Sequence, residues 1–209
     1  MDPLKHKLSL QIAQLKSWDL RWSTTSAPTS LALFWGEEVR HRAPASGRSV
    51  TIALAEFAAQ ASGWLLLEVL SAASDKLAAD FGLWQTPWGE INRFQRLTGD
   101  VVHPFDDKGA SLSVGFTSAL WGSLASFGAR PYAKTKNWYG TTGNSFVAVV
   151  EFGKRVRARA ITAGGESGLV GSSHFNDQPQ FYSTGDLREV DFHPDQTRAH
   201  TERTYRLGE

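Results

Sequence analysis

Residues 145–152, Ser-Phe-Val-Ala-Val-Val-Glu-Phe, constrain this chain more than any other segment. β-Branched and aromatic side chains follow one another without polar alternation, so the strand they form is apolar on both faces. Gly153-Lys154 turns the chain and Arg155-Val156-Arg157-Ala158-Arg159-Ala160-Ile161 returns it, which predicts an antiparallel hairpin. A strand apolar on both faces belongs in a sheet covered on both sides. A two-stranded ribbon is not stable alone, and the rest of the back half offers too few strands to close a sheet. The sequence therefore reads as one incomplete domain that takes strands and layers from elsewhere.

The front of the chain differs in kind. Asp2-Pro3 reads as a helix start, a capping side chain followed by proline at the first helical position. Leu4, Leu8, Ile12, Leu15 and Trp22 recur along one helical face, and Ala27-Pro28-Thr29 reads as the break. A short second helix is expected to carry Leu31, Phe34, Trp35 and Glu38, followed by a connection at Pro44-Ala45-Ser46-Gly47. Val50 to Phe81 reads as two helices parted at Ser62-Gly63, with Gly82 as the terminating glycine. Beyond it, Thr86-Pro87-Trp88-Gly89 reads as a turn and Glu90 to Phe94 as a short strand. Residues 98–131, rich in Gly, Ser and Pro, read as a long irregular excursion of the kind that often lines a site. Residues 163–172 read as a Gly/Ser-rich loop, and from Asp186 a charged tail ends in a short extended run. The fold class is α+β, with a helical segment over 1–82 and a β-rich segment over 83–209.

Composition narrows the chemistry. Twenty-two Lys and Arg oppose 21 Asp and Glu, so no global charge favours nucleic acid or an anionic membrane. There is no cysteine, which removes disulfides, thiolate catalysis and Cys-ligated zinc. No stretch reaches the roughly 18 apolar residues of a membrane span, and no signal-peptide core follows the basic residues Lys5 and Lys7. His6, His41, His103, His174, His193 and His200 show no paired metal-ligand spacing.

Four clusters invite a chemical reading. Ser172-Ser173-His174-Phe175-Asn176-Asp177 brings Ser, His and Asp together, but a catalytic triad is assembled from distant segments, and local turns with the backbone are the favoured reading. Arg155, Arg157 and Arg159 share one strand face. They suit an anion clamp, or a solvated row paired to carboxylates elsewhere, and the second is favoured because no other basic cluster supports the first. Glu37-Glu38 and Asp106-Asp107 read as exposed pairs rather than acid/base couples. No catalytic, cofactor-binding or metal-binding residue is nominated.

Several segments, in order and approximate spacing, resemble the C-terminal part of the β-subunit of penicillin-amidase-type acylases, which are N-terminal nucleophile hydrolases. They are Asp80-Phe81-Gly82 with Thr86 to Arg93, Gly143-Asn144-Ser145-Phe146 running into Val149 to Gly153, and Ala163-Gly164-Gly165-Glu166-Ser167-Gly168. His174-Phe175-Asn176-Asp177-Gln178 follows, then Tyr182 to Asp186 and Thr201 to Arg206. The resemblance covers essentially the whole chain and is greatest to the branch that includes acyl-homoserine-lactone acylases.

The resemblance implies a four-layer αββα sandwich and hydrolysis of linear amide bonds, in acyl-homoserine lactones or penicillin-type acyl amides. It implies a precursor that cuts itself into α and β chains. The Ser at the new β N-terminus attacks with its own α-amino group as base, and a backbone N–H and an Asn hold the oxyanion. Nucleophile, oxyanion Asn and any calcium ligands are expected outside this chain. Its expected partners are therefore an α chain and the N-terminal part of a β chain, with periplasmic or secreted location belonging to the complete precursor. Ser145 lies internally and is not the nucleophile. The loop Gly168 to His174 lacks the two prolines usual there, which loosens it. The other readings are a non-catalytic remnant or partner chain, and a small-ligand-binding protein that uses the Gly/aromatic stretch 111–146.

Overall fold

The structure is a computed structural model and describes residues 3–43, 49–97, 105–201, 203–206 and 208. The expected cap at Asp2, the connection at 44–47, the first part of the excursion at 98–104 with His103, and Glu202 lie outside the described residues. Two compact units emerge, Met1–Gly143 and Asn144–Glu209.

The first unit begins with α1 (Pro3–Lys7) and α2 (Ser9–Ser17), followed by α3 (Ala27–Arg42), α4 (Val50–Gln60) and α5 (Gly63–Phe81). The single-turn helix α6 (Trp88–Ile91) leads into β1 (Asn92–Phe94), then β2 (Leu112–Ser113), β3 (Phe127–Pro131) and β4 (Trp138–Gly143). These strands form one sheet in the order β2-β1-β4-β3, with β1 parallel to β4 and the other pairs antiparallel. Its core joins helices to sheet. Leu31, Phe34, Leu70, Ala73 and Leu77 pack with Leu8, Trp88 and Ile91, and Phe34 stacks on Trp138 at 5.1 Å.

Ala27-Pro28-Thr29 starts a helix rather than ending one. Ser26 accepts from the Thr29 N–H (3.2 Å) and Pro28 occupies the first turn, where its missing N–H costs nothing. The preceding helix ends at Ser17, so Trp22 reaches the core from a non-helical segment. The expected short helix runs for 16 residues. The break at Ser62-Gly63 is present, with Ser62 accepting from the Leu65 N–H (3.1 Å), and Gly82 closes α5 at φ +88°. Residues 88–91, expected as turn and strand, form α6, and the strand is confined to 92–94. The described part of the excursion holds β2, a 3₁₀ turn at Ala119–Trp121 and β3. β3 and β4 escape a periodicity reading because glycines stand where side chains would alternate. At Gly140 a Cβ would overlap the Phe127 ring.

The second unit contains β5 (Phe146–Glu151), β6 (Arg157–Thr162), α7 (Pro179–Thr184), β7 (Arg188–Glu189) and α8 (Pro194–Ala199), with an antiparallel sheet in the order β5-β6-β7. The expected hairpin is present, in continuous register from Phe146↔Thr162 to Glu151↔Arg157. Among the described residues nothing supplies the expected cover. β5 is an edge among the described strands, and Phe146, Val149 and Val150 are 58%, 59% and 45% exposed, with Phe152 beyond the strand at 84%. Burial concentrates instead on β6 and α7, at Ala160, Ile161 and Tyr182. No helix is expected here from the sequence, yet α7 precedes the charged tail and α8 lies within it. Each starts at a proline, and α8 is capped by His193, whose ring accepts from the Gln196 N–H and donates from Nε2 to Val156 O at 2.9 Å.

Candidate functional site

The segment between β6 and α7 crosses 16 residues and is closed on itself by one buried amide. Gln178 is 2% exposed. Its Oε1 accepts from the backbone N–H (3.1 Å) and hydroxyl (2.9 Å) of Thr162, at the end of β6. Its Nε2 donates to Glu166 Oε1 at 2.9 Å, and its backbone N–H donates to Gly164 O at 3.1 Å. Arg188 Nη2 faces the same Glu166 oxygen from 3.6 Å. A buried amide leaves expensive orphans when unpaired; here both ends are used, and the start of α7 is pinned to the end of β6. The Tyr182 hydroxyl donates to Asn144 O (3.1 Å) and Ala163 N–H donates to Ser145 O (2.8 Å), which fixes the start of β5 on the same frame. Burial pushes the Tyr182 hydroxyl up to about 12. A cavity of about 320 Å³ opens here, lined by Phe146, Ile161, Thr162, Glu166, Arg188 and Val190 among others.

The Ser/His/Asp cluster lies on this loop. Ser172 Oγ accepts from the His174 N–H (3.1 Å), and His174 O accepts from the Ser167 N–H (3.0 Å). The His174 ring meets Asp177 Oδ2 through Nδ1 at 2.9 Å, which holds the Asp177 carboxyl below the usual range. Ser173 is exposed, and among the described residues no hydrogen bond joins a serine hydroxyl to that ring. The geometry is that of a self-bonded loop, not of an activated nucleophile. Two of the three arginines in the row meet carboxylates. Both Asp195 oxygens lie 2.7 Å from Arg155 Nη2, and Arg157 lies 3.8 Å from Glu189. Arg155 holds the Asp195 carboxyl below its ordinary value. Glu37 accepts from Trp121 Nε1 (3.2 Å) and pairs with Arg40, while Asp107 receives the Tyr139 hydroxyl (3.0 Å) and the Lys136 N–H (2.8 Å). Among the described residues no group of three or more His, Asp or Glu gathers as a metal site, and no single helix is long and apolar enough to cross a membrane.

The residues that hold these units together sit inside the segments quoted for the resemblance. In the first unit, Asn92 is wholly buried and donates to Val114 O (2.8 Å) and Phe116 O (2.9 Å). Arg93 reaches Gly89 O, Ser113 Oγ and Ser111 O at 2.6–2.8 Å. Residue-level reading gave Asn92, Arg93, Gln178 and Glu166 no role. The one signal for Gln178 was its place directly before Pro179, a helix start.

Helices packed on a mixed sheet, and a hairpin tied to its following helix through a Gly-rich loop, define an α+β protein whose polar motif residues serve architecture. Compared with known protein families, residues 2–199 match penicillin amidase. The chain belongs to the penicillin amidase family, and at family level that makes it a member of the acylase-type amide hydrolases. A comparison with curated proteins returns no match.

Proposed function

We propose that this chain is the C-terminal portion of an acylase that hydrolyses linear amide bonds, of acyl-homoserine lactones in quorum-signal degradation or of penicillin-type acyl amides. In this reading the Ser nucleophile, the oxyanion donors and any calcium ligands are carried by other segments. The observation that carries it is β5, an edge strand whose large apolar side chains are exposed on both faces, in a chain of this family. Apolar faces and an unpaired edge are what a strand from an interior sheet leaves behind when its neighbours are absent. The chain's role is then to supply β5, β6 and β7 to a larger sheet. Its partners are an α chain and the leading part of a β chain, exported together to the periplasm or beyond.

The test is hydrolysis of acyl-homoserine lactones and penicillin G by the purified chain, alone and co-expressed with an α chain and Ser-led β segment encoded beside it. Alone it should show no turnover; the co-purified assembly should hydrolyse one of the two substrate classes. Turnover by the chain alone, abolished by Ser145→Ala or Ser173→Ala, overturns the reading.

A further inference from the structure

His193 makes two ring hydrogen bonds that only a neutral imidazole can make together. Its Nε2 lies 2.9 Å from Val156 O, immediately before β6. A carbonyl only accepts, so Nε2 carries a proton. The ring also accepts from the Gln196 N–H in the first turn of α8, and Gln196 Oε1 accepts from the His193 N–H at 3.1 Å. A backbone N–H only donates, so Nδ1 holds a lone pair. The ring is half-buried, with the Phe192 ring edge-on at 5.2 Å. The charges around it are already matched. Asp195 of α8 is held by Arg155 of the hairpin turn at 2.7 Å, and Asp191 by His200 at 2.7 Å. Glu189 of β7 faces Arg157 at 3.8 Å and accepts from Gln196 Nε2 at 3.3 Å. Lys154 adds a cation on the turn, and Arg198 of α8 donates to Pro194 O at 3.2 Å.

We propose that His193 is an acid-operated latch: a proton taken up at Nδ1 removes the cap of α8 and frees the start of this helix from the β5–β6 turn, while His200 keeps its end on Asp191. The incoming proton occupies the Nδ1 lone pair, so the bond from the Gln196 N–H breaks, because an imidazolium has two donors and no acceptor. It also sets a positive charge against a helix N-terminus, which is itself the positive end of the dipole. His200 responds in the opposite sense. Its Nδ1 faces a carboxylate, and a charged ring strengthens that contact. At His193 the latched state binds fewer protons than the released one, so latching weakens as pH falls, across the range of about pH 8 to 5 in which histidines titrate. The consequence falls on β7. Its two residues pair with β6, Val190 N–H donates to Ala158 O at 2.9 Å, and Glu189 is tied to α8 through Gln196. Release of α8 therefore loosens the edge of this sheet opposite β5. The device lies within the second unit and does not depend on amide hydrolysis by any assembly.

Amide exchange tests this, measured in the co-purified assembly, or in the chain alone where that is monodisperse, and expressed as protection factors so that the intrinsic pH dependence of exchange cancels. Between about pH 7.5 and pH 5 the protection of the Gln196, Thr197 and His200 amides should fall about tenfold, the combined effect of a lost cap and an opposed dipole. The amides of β5 and β6 should hold. His193→Asn, whose side chain caps a helix without titrating, should keep α8 protected across the range, and His200→Asn should leave the loss in place. In the unsubstituted protein the His193 Nδ1 resonance should move to its protonated position over the same span of pH as the loss. Protection of α8 that does not change with pH overturns the proposal, as does a loss that persists in His193→Asn. A loss that vanishes in His200→Asn assigns the effect to the other histidine, and a loss shared equally by β5 and β6 is general acid unfolding; either overturns it. So does an Nδ1 transition that fails to coincide with the loss. Hydrolysis is read in none of these measurements, so failure of the acylase reading leaves them standing.

Discussion

Tyr139 shows how one side chain couples burial to charge. Its ring is fully buried and stacks on Phe105 at 4.8 Å, and its hydroxyl donates to Asp107 and to Asp106 O. Burial, reinforced by the hydrogen bond to the Asp107 carboxylate, pushes that hydroxyl up to about 12. Tyr182 in the second unit reaches about 12 through burial alone. In the unfolded chain both ionise near 10. Below that value both states hold the proton and the tyrosines add no pH dependence. Between about 10 and 12 the unfolded chain releases protons that the folded one keeps, so stability falls as pH rises through this window. The urea midpoint of the co-purified assembly should therefore drop between about pH 9 and pH 11.5. Tyr139→Phe and Tyr182→Phe should each remove part of the drop while lowering the midpoint at pH 9 through a lost hydrogen bond worth roughly 0.5–1.5 kcal/mol. An alkaline slope equal in all three proteins would show that other groups cause it.

The loop between β6 and α7 shows what is legible in sequence at the scale of an element. The β5–β6 hairpin was legible because composition and turn spacing agree with each other over consecutive residues. The loop's clamp was not, because Thr162, Glu166 and Gln178 are spaced without a period and meet only when the chain folds back. Pro28 was misread because a proline marks a helix start as readily as a helix end, and the capping Ser26 decides which. The six-residue helix α8 was hidden in a charged tail because its stability comes from His193 and from Arg155 on the hairpin turn, not from an apolar stripe. The close fit of the loop makes a specific prediction. A Cβ at Gly165 would fall on the backbone of His174 and Phe175, atoms that cannot swing away, whereas one at Gly168 meets open space. In the co-purified assembly, where the sheet is completed, Gly165→Ala should destabilise the second unit by about 1–3 kcal/mol, as overpacking does, read as increased amide exchange along β6 and α7. Gly168→Ala should change little. Equal exchange in the two variants would mean that the loop is not closed as described.

Across the whole molecule the apolar surface is unevenly placed. Leu31, Ala73, Leu77, Trp88 and Ile91 are sealed in the first unit, while α4, with Val50 and Ile52, buries no residue, and the second unit leaves Phe146, Val149, Val150 and Phe152 in water. Each large side chain left exposed forgoes about 1.5–3 kcal/mol, against a margin of about 5–15 kcal/mol for a typical domain. Four such partly exposed side chains on or beside one strand forgo a sum comparable to the lower end of that margin, and an open edge adds a template for strand pairing between molecules. The chain alone should therefore bind a hydrophobic dye and sediment as a mixture of species, while the helices of residues 3–81 keep a strong far-UV signal. Val149→Thr with Phe152→Thr should lower dye binding and aggregation together, because both changes replace exposed apolar surface with polar surface. A sharp, cooperative melt of a monodisperse monomer, with no dye bound, would show that these residues close their own core; the proposed need for further acylase strands would then fall, since a sheet that is complete in one chain has no use for an added edge.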